Sequence, residues 1–215
     1  MYVPAVFAES DRTTLHDFIE RHGFGLLCSQ HDGSPLASHL PLLIDRTHGA
    51  HGTLRGHMAR ANSQWRLAAQ SEVLAVFSGP HAYISPTWYQ ADDVVPTWNY
   101  VAVHVYGTFR LVEDPETLMA IVQDTVTFYE RSQPQPWTIR GSREFLDRML
   151  QAIVGFTIEI TRIEGKWKLN QNQPAERRRN VVAALRVNGG EQAREMAVLV
   201  EKTLRGEQGA ALPPT

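Results

Sequence analysis

Apolar residues along the chain follow two different spacings, and these spacings predict which segments form strands and which form helices. Alternation or short apolar runs predict strands over residues 24–30, 35–44, 52–57, 73–78, 99–111 and 155–164. Helical spacing predicts helices that begin near residues 11, 62, 114 and 142, and two more around 181–185 and 196–204. Because the strands come in succession with few helices between them, the pattern favours an α+β protein built on an antiparallel sheet or barrel.

Turn and cap residues fix several boundaries of these elements. Asp114-Pro115-Glu116 combines a helix cap, a proline at the first helical position and an early acidic residue. His31-Asp32-Gly33-Ser34 predicts a tight turn between the first two strands. Gly165 is expected to turn the chain at the end of the last strand.

Residues 79–100 carry the most unusual composition of the chain, GPHAYISPTWYQADDVVPTWNY. Five tyrosine and tryptophan rings stand among hydroxyls, amides and prolines, whereas a strand that only fills a core would show alternating aliphatic residues. A planar, partly polar ligand needs such rings with a few polar groups. An aromatic dimer interface has the same composition, and the two interpretations are compatible.

Composition and charge narrow the class of protein. The 215 residues fit one large domain or one domain with an appendage, and the formal charge of −2 argues against a broad basic face for nucleic acid. Cys28 is the single cysteine, so no intrachain disulfide forms. The first residues lack the pattern of a signal peptide, and no apolar run is long enough for a bilayer. We therefore expect a cytoplasmic protein without membrane contact.

Familiar catalytic motifs are absent from the sequence, which contains no GxGxxG, P-loop, HExxH or GxSxG pattern. Four histidines, His39, His57, His81 and His104, lie within or beside predicted strands. Neutral imidazole could ligate a metal or haem, or could hydrogen-bond a bound ring. Without a cysteine or carboxylate cluster beside them, hydrogen-bonded structural histidines are the commoner outcome, and we predict no metal site.

Three basic segments offer contacts for anions, and each also has a purely structural interpretation. Arg60, in GHMARAN, has a planar guanidinium that could bind a phosphate. The structural alternative is a surface arginine next to an asparagine that caps a helix. Residues 166–173, KWKLNQNQ, could hold a phosphate or the edge of a heterocycle, or form an exposed polar loop. The run Arg177, Arg178 and Arg179 could contact nucleic acid, although most such runs are solvated.

A series of longer strings resembles one family in order along the chain: MYVPAVFAE, HLPL, GHMARAN, GPHAYISPTWY, VPTWNY, AIVGF and KWKLNQN. It is the PaiB-type family of FMN-binding negative transcriptional regulators, and the resemblance runs from Met1 to about Leu185. The resemblance implies an antiparallel split β-barrel with peripheral and C-terminal helices, related to pyridoxamine phosphate oxidases and flavin reductases. It also implies a homodimer that holds FMN at the subunit interface.

The same resemblance implies positions for FMN-binding residues in this sequence. Ser38, His39 and Leu40 would lie along the isoalloxazine ring, and His57, Arg60 and Asn62 near the ribityl phosphate. The pocket would be closed by Ser85, Trp88, Trp98, Asn99 and Tyr100, some of them from the partner chain, with Lys168 and Gln171 at the far edge. The flavin-binding domain would span residues 1–187, followed by a C-terminal helical extension and tail over residues 188–215.

Three functions remain open at this point. The resemblance favours a dimeric flavin-binding regulator, with possible DNA contact around Arg177 to Arg179, or with an indirect effect on transcription. A flavin-dependent oxidoreductase or flavin reductase needs only to bind and orient its cofactor, which explains the missing catalytic motifs. A haem-binding split barrel is the third alternative, suggested by the strand histidines.

Overall fold

The computed structural model describes residues 1–206, and within them the chain forms seven strands and six α-helices. The strands are β1 (Ala8–Glu9), β2 (Phe24–His31), β3 (Ser34–Asp45), β4 (Thr53–Ala59), β5 (Glu72–Ile84), β6 (Thr97–Val112) and β7 (Ile153–Lys168). The helices are α1 (Arg12–Arg21), α2 (Gln64–Leu67), α3 (Pro115–Glu130), α4 (Arg143–Gln151), α5 (Ala175–Asn188) and α6 (Glu191–Leu204). Short 3-10 turns add Ala5–Phe7 and Pro86–Tyr89.

The strands form a sheet in the order β1-β7-β4-β3-β2-β5-β6, in which β6 also pairs with β7. The β2–β3, β2–β5, β3–β4 and β4–β7 pairs are antiparallel. Since β6 pairs with both β5 and β7, the hydrogen-bonded order of these six strands closes on itself. This topology confirms the predicted α+β class with an antiparallel split barrel.

Local signals in the sequence account for several of these boundaries. The carboxylate of Asp11 accepts the backbone N–H of Thr14 at 2.8 Å and begins α1. Asp114 accepts the N–H of Thr117 at 2.9 Å and begins α3. Asp32 and Gly33 have φ values of 48° and 77°, the left-handed conformations of a tight hairpin turn. The predicted start of α1, the Asp114 cap and the tight turn are therefore confirmed.

Two strands are longer than their sequence patterns predict. β5 continues through Pro80 to Ile84, so the first part of the aromatic segment is a strand. β7 continues through Gly165 to Lys168, and the expected turn at Gly165 is wrong. Gly165 is needed for close packing, because a Cβ there would lie 2.4 Å from Leu15 Cδ2 and 2.9 Å from the Glu9 carbonyl oxygen.

The chain divides into two compact units, and β5, β6 and β7 contribute residues to both. Within the described residues, unit 1 comprises 1–18, 78–104 and 164–206, and unit 2 comprises 19–77 and 105–163. The core of unit 1 includes Ile84, Val103, Leu185 and Met196. The core of unit 2 includes Leu27, Phe77, Phe109, Phe156 and Ile158. The expected domain boundary between residues 187 and 188 stays a prediction, and the tail from residue 207 lies outside the described residues.

We expect Gly107→Ala to destabilise unit 2 by roughly 1–3 kcal/mol, the range for overpacking a well-packed core. An added Cβ would lie 2.4 Å from the Glu159 carbonyl oxygen and 2.7 Å from Ile158 Cγ2, and the two strands cannot separate without losing pairing. Urea denaturation measures the change. Gly190→Ala is the control, because nothing lies within 4 Å of its added Cβ. Equal stability of the two variants would contradict the close approach of β6 and β7.

Candidate functional site

The aromatic segment places three rings together on unit 1, which we call the aromatic surface: His81, Tyr83 and Trp98. The Trp98 ring centroid lies 6.0 Å from that of His81 and 6.0 Å from that of Tyr83. Tyr83 is 47% exposed and Trp98 is 53% exposed, whereas Ala82 and Ile84, the alternating residues of β5, are buried. β5 therefore buries its aliphatic face and presents its rings to solvent.

Ser85 and Trp88 lie just beyond β5. The Ser85 hydroxyl accepts the N–H of Thr87 at 3.3 Å and lies 2.8 Å from the Thr87 hydroxyl, so it caps the Pro86–Tyr89 turn. Trp88 is half-buried and lines a groove of about 460 Å³ that also includes His81, Tyr83 and residues 188–193. Trp88 thus lies beside the aromatic surface, while the Ser85 hydroxyl is used within its own turn.

Asn99 is fully buried, with 0% of its surface exposed. Neither its side-chain oxygen nor its side-chain nitrogen has a hydrogen-bond partner in the described part of the chain. A buried amide without partners costs free energy, and its neighbours Val101 and Val103 offer no polar group. The side-chain amide of Asn99 is therefore a buried group of unit 1 with no hydrogen bond to the described part of the chain.

Tyr100 lies beside a buried lysine that the sequence did not single out as a site residue. The ammonium of Lys166 is 5.1 Å from the centre of the Tyr100 ring and 5.5 Å from that of Tyr2. It also donates to the Tyr2 carbonyl oxygen at 2.9 Å. Lys168, by contrast, donates to the Thr97 hydroxyl at 2.5 Å and is half-buried. Lys166 thus provides a fixed positive charge next to Tyr100.

Gln171 uses both ends of its amide inside its own loop. Its oxygen accepts the N–H of Leu169 at 2.7 Å, and its nitrogen donates to the Trp167 carbonyl at 2.6 Å. In the same loop the Asn170 amide donates to the Tyr89 hydroxyl at 3.0 Å, and burial raises the pKa of that hydroxyl. The structure therefore places Gln171 as a brace of the loop after β7.

Unit 2 carries a partly exposed, mainly apolar surface, which we call the open sheet face: Phe24, Leu26, Cys28, Ala37, His39, Leu74 and Val76. Cross-strand registers place Leu26 opposite both His39 and Val76. Phe24 is 67% exposed, and its ring stacks on His39 at 5.9 Å. Burial raises the pKa of the half-buried Cys28 thiol. The open sheet face is mainly apolar, and His39 is its polar residue.

The structure brings Ser38 and Asn62 together on the other side of β3. The Asn62 amide donates to the Ser38 hydroxyl at 2.8 Å, and its oxygen accepts the N–H of Gln64 at 2.9 Å. Ser38 and Leu40 alternate with His39, so they project toward the inner face of the sheet, where Leu40 is buried. Of the three β3 residues, His39 alone lies on the open sheet face.

His57 lies on the side of β4 that α3 covers. It pairs with Gly155 of β7, and a Cβ on Gly155 would meet Leu118 of α3 at 2.8 Å. Directly opposed residues of an antiparallel pair share one face, so His57 projects toward α3. Its Nδ1 is buried without a partner, and burial lowers the pKa of the imidazole.

Arg60 is bound to the junction between α4 and β7. Its Nε donates to the Gln151 carbonyl at 2.6 Å and its Nη2 to the Ile153 carbonyl at 2.8 Å. The backbone N–H of Arg60 also donates to the Ala152 carbonyl at 2.8 Å. These bonds fix the Arg60 guanidinium at the α4–β7 junction, whereas Asn62, two residues further on, donates to Ser38.

The three arginines at the start of α5 differ in what they contact. Arg177 donates to Gln173 Oε1 at 3.1 Å, and Arg178 donates to the Thr203 hydroxyl at 3.1 Å and the Thr203 carbonyl at 3.3 Å. These bonds tie α5 to its preceding loop and to α6. Arg179 is the exposed member of the run.

We expect the stability of the fold to fall as the pH is lowered from about 6.5 toward 4. Burial, with a smaller contribution from the charge of Arg21, lowers the pKa of His22 to about 4, and burial also lowers the pKa of His57. Histidine in an unfolded chain has a pKa of about 6.5, so in this window the unfolded state binds more protons. Urea denaturation across this range should show a smaller loss for a His22→Gln/His57→Gln variant. An unchanged pH profile in that variant would contradict this origin.

No group of three histidine, cysteine, aspartate or glutamate side chains within residues 1–206 is arranged to hold a metal ion. Over the same residues, no helix combines the length and apolar character that crossing a bilayer requires.

A family model described as "Putative FMN-binding domain" matches residues 1–162 of the chain. The chain belongs to this FMN-binding family. The match confirms the resemblance seen in the sequence strings, and it gives FMN as the cofactor. The chain is therefore an FMN-binding protein whose strands close into the split barrel described above.

One curated relative covers almost the whole chain. It is protease synthase and sporulation protein PAI 2 of Bacillus subtilis (strain 168), 36% identical over 208 residues, which are 95% of this chain and 99% of that protein. This relative places the chain among the PaiB-type members of the FMN-binding family.

Two solved structures share the fold. The flavocytochrome Anf3 from Azotobacter vinelandii superposes with a TM-score of 0.59 at 11% identity, covering 75% of this chain and 69% of that chain. The FAD and heme binding protein from Mycobacterium smegmatis gives 0.58 at 13% identity, covering 75% and 73%. At these identities the likeness shows the fold alone.

Sequence reasoning missed the residues of the open sheet face other than His39. In β2 both alternating sets are mostly apolar: Phe24, Leu26 and Cys28 on one side, and Gly25, Leu27 and Ser29 on the other. The available signal was this two-sided apolar character, which is unusual for a strand with one face in water. Lys166 gave no signal, because its burial depends on Tyr2 and Tyr100 from distant parts of the sequence.

Proposed function

We propose that this FMN-binding family member is a homodimeric flavoprotein that represses transcription in the cytoplasm. The observation that carries this proposal is the 36% identity to PAI 2 of Bacillus subtilis across 95% of this chain and 99% of that protein. The name of that relative refers to protease synthesis and sporulation, which are processes under transcriptional control. A shared architecture over nearly full length supports a shared type of activity.

The chain offers surfaces that fit an isoalloxazine ring. The open sheet face is mainly apolar, and Phe24 and His39 form a stacked pair on it. A ring system laid on it would gain apolar contact from Leu26 and Val76 and a hydrogen bond from the His39 imidazole. When bound, FMN supplies hydride and single-electron chemistry, while the protein orients the ring and excludes water.

The aromatic surface supports the homodimer. Tyr83 and Trp98 leave about half of their surface exposed, and exposed rings of this size mark interaction sites. Trp88, Asn99, Tyr100 and Lys168 lie on the same unit and remain proposed contacts for the cofactor.

An absorption spectrum of freshly purified protein, repeated after addition of FMN and desalting, tests cofactor binding. We expect two flavin bands that persist through desalting and a ratio of one FMN per chain. A colourless protein that retains no FMN at micromolar concentration would overturn the flavin part of the proposal. The same sample, run through light-scattering chromatography, reports whether the chain is a dimer.

Direct DNA contact is the least supported step, because Arg177 and Arg178 are used in hydrogen bonds within unit 1. Arg179 is the exposed candidate, and an Arg179→Ala variant should lower salt-dependent DNA binding if the contact exists. Arg194→Ala on α6 removes the same charge and is the matched control. If no DNA is bound by the wild type, repression acts through another component.

A flavin-dependent oxidoreductase is the second candidate, favoured by the FMN-binding family match itself. Addition of NADH or NADPH to the FMN-loaded protein without oxygen separates the two functions. Rapid bleaching of the flavin bands would favour the enzyme, and inertness toward both nucleotides would favour the regulator.

A further inference from the structure

A long stretch of unit 2 around α4 contains no buried residue. Over residues 131–152 every side chain is at least partly exposed, and Trp137, Phe145 and Met149 are each about half exposed. Single exposed apolar residues are ordinary on a protein surface, whereas neighbouring ones mark interaction sites. The positions of Phe145 and Met149 on α4 therefore decide whether this helix carries such a site.

The side chains of α4 divide between two opposite sides of the helix. One side lines a concave surface beside Arg60, and it consists of Arg143, Asp147, Leu150 and Gln151. Phe145 and Met149 do not line that surface, and a spacing of 3.6 residues per turn places them on the opposite side of α4. Since they are four positions apart, they are neighbours on the helix surface. We call this exposed apolar pair the α4 stripe.

Two opposite charges flank the α4 stripe on the same edge, Glu144 and Arg148, which are also four positions apart. Both are exposed, and neither forms an ion pair within residues 1–206. Hydrogen bonds from its own backbone N–H and from the Ser142 hydroxyl lower the pKa of Glu144, so its carboxylate is ionised at neutral pH. The charges beside the stripe are therefore available to another molecule.

A second copy of the chain is the partner that this arrangement of charges fits. A twofold axis would bring the same stripe of both copies together with the two helices antiparallel. Phe145 would then lie beside Met149 of the second copy, and Glu144 beside Arg148 of the second copy, twice by symmetry. A parallel pair of helices or a lipid bilayer would leave these opposite charges without such partners.

We propose that two copies of the chain associate through an antiparallel pair of α4 helices, with the α4 stripe at the centre and two Glu144–Arg148 ion pairs at its edge. An interface formed by one nine-residue helix from each copy belongs to the small, weak class below about 1,200 Å². The association is therefore concentration-dependent. Neither the open sheet face nor the aromatic surface includes these residues, so the contact does not depend on FMN or on repression.

Sedimentation velocity of the full chain measures this association. We expect the mass of the wild type to double between micromolar and millimolar concentration, from dimer to tetramer if the proposed homodimer forms and from monomer to dimer if it does not. Glu144→Arg and Arg148→Glu should each prevent the doubling, because like charges would then meet across the twofold axis. Doubling that persists unchanged in both variants would contradict the proposed contact.

An equal mixture of the two charge variants provides the sharper test. One variant presents two positive charges beside the stripe and the other two negative charges, so the mixture should regain the doubling that each variant alone has lost. Local damage to α4 would not be repaired by mixing. Arg194→Glu on α6 makes the same charge change at an exposed position and should associate like the wild type. A mixture that fails to associate would overturn the proposal.

FMN retention and vesicle binding distinguish the other possible occupants of the α4 stripe. Both charge variants should retain FMN like the wild type, and loss of FMN from both would assign the stripe to the cofactor site and overturn the inference. A wild type of constant mass that sediments with phosphatidylserine vesicles would assign the stripe to a membrane, which also overturns it. A wild type that binds no FMN but shows the charge-dependent doubling would overturn the proposed function and support the α4 contact.

Discussion

Replacing Leu26 by arginine is expected to convert the homodimer proposed above, with FMN at its subunit interface, into a monomer that loses its flavin. Leu26 lies at the centre of the open sheet face, opposite His39 on β3 and Val76 on β5. A guanidinium at this position would lose its water when the isoalloxazine ring or a partner chain covers it. The open sheet face contains no acidic residue with which that charge could pair, so binding would be strongly disfavoured. Light-scattering chromatography and the flavin absorbance of the desalted protein measure both effects.

Val187→Arg is the control for this change, since Val187 on α5 is 82% exposed and belongs to neither surface. It should remain dimeric and yellow. A Leu26→Arg variant that stays folded, dimeric and loaded with FMN would show that the open sheet face contacts neither partner nor cofactor. Thermal unfolding of both variants excludes a general loss of fold as the cause.

Phe156→Ala is expected to destabilise the protein by roughly 3–5 kcal/mol, the range for removing a buried phenylalanine from a core. The Phe156 side chain is 0% exposed, and its ring stacks on Phe109 with 4.7 Å between the ring centroids. The substitution leaves a cavity between β6 and β7 that neighbouring side chains fill only in part. Urea denaturation at neutral pH measures the loss.

Phe145→Ala is the matched control, because Phe145 on α4 is 42% exposed and should change stability by less than about 1 kcal/mol. If Phe156→Ala cost no more than this control, the Phe109–Phe156 contact could not be the centre of the unit 2 core. The Phe156→Ala and Gly107→Ala variants both test how closely β6 packs against β7, so both should lower the free energy of unfolding.

The two groups of site residues respond differently to such tests. On unit 1, Trp98 and Tyr83 are exposed and available to a partner or ligand, whereas Ser85 and Gln171 use their polar groups within their own turns. On unit 2, the open sheet face is partly exposed, while Arg60 is fixed by the Gln151 and Ile153 carbonyls. Substitutions of the exposed residues should therefore weaken the binding of FMN or a partner. Substitutions of the residues that are hydrogen-bonded within their own turns should lower the stability of the fold.

Local signals in the sequence were sufficient to predict several helices, strands and turns. The Asp11 and Asp114 caps, the Asp32–Gly33 turn and the alternation of β6 depend on hydrogen bonds or contacts between residues a few positions apart. The ordered family strings also identified the FMN-binding family and its split barrel, since they cover most of the chain. These features need no knowledge of which distant segments meet.

Which side chains are available for chemistry depends on contacts between distant segments of the chain. Arg60 bonds to carbonyls 91 and 93 positions away, and β7 runs past Gly165 because β1 and α1 pack against it. The exposure of Phe24 and the partial exposure of Leu26 likewise depend on how β2 pairs with β3 and β5. Burial and hydrogen bonding between distant residues are set by the pairing of the strands, so the spacing of residues along one segment could not reveal them.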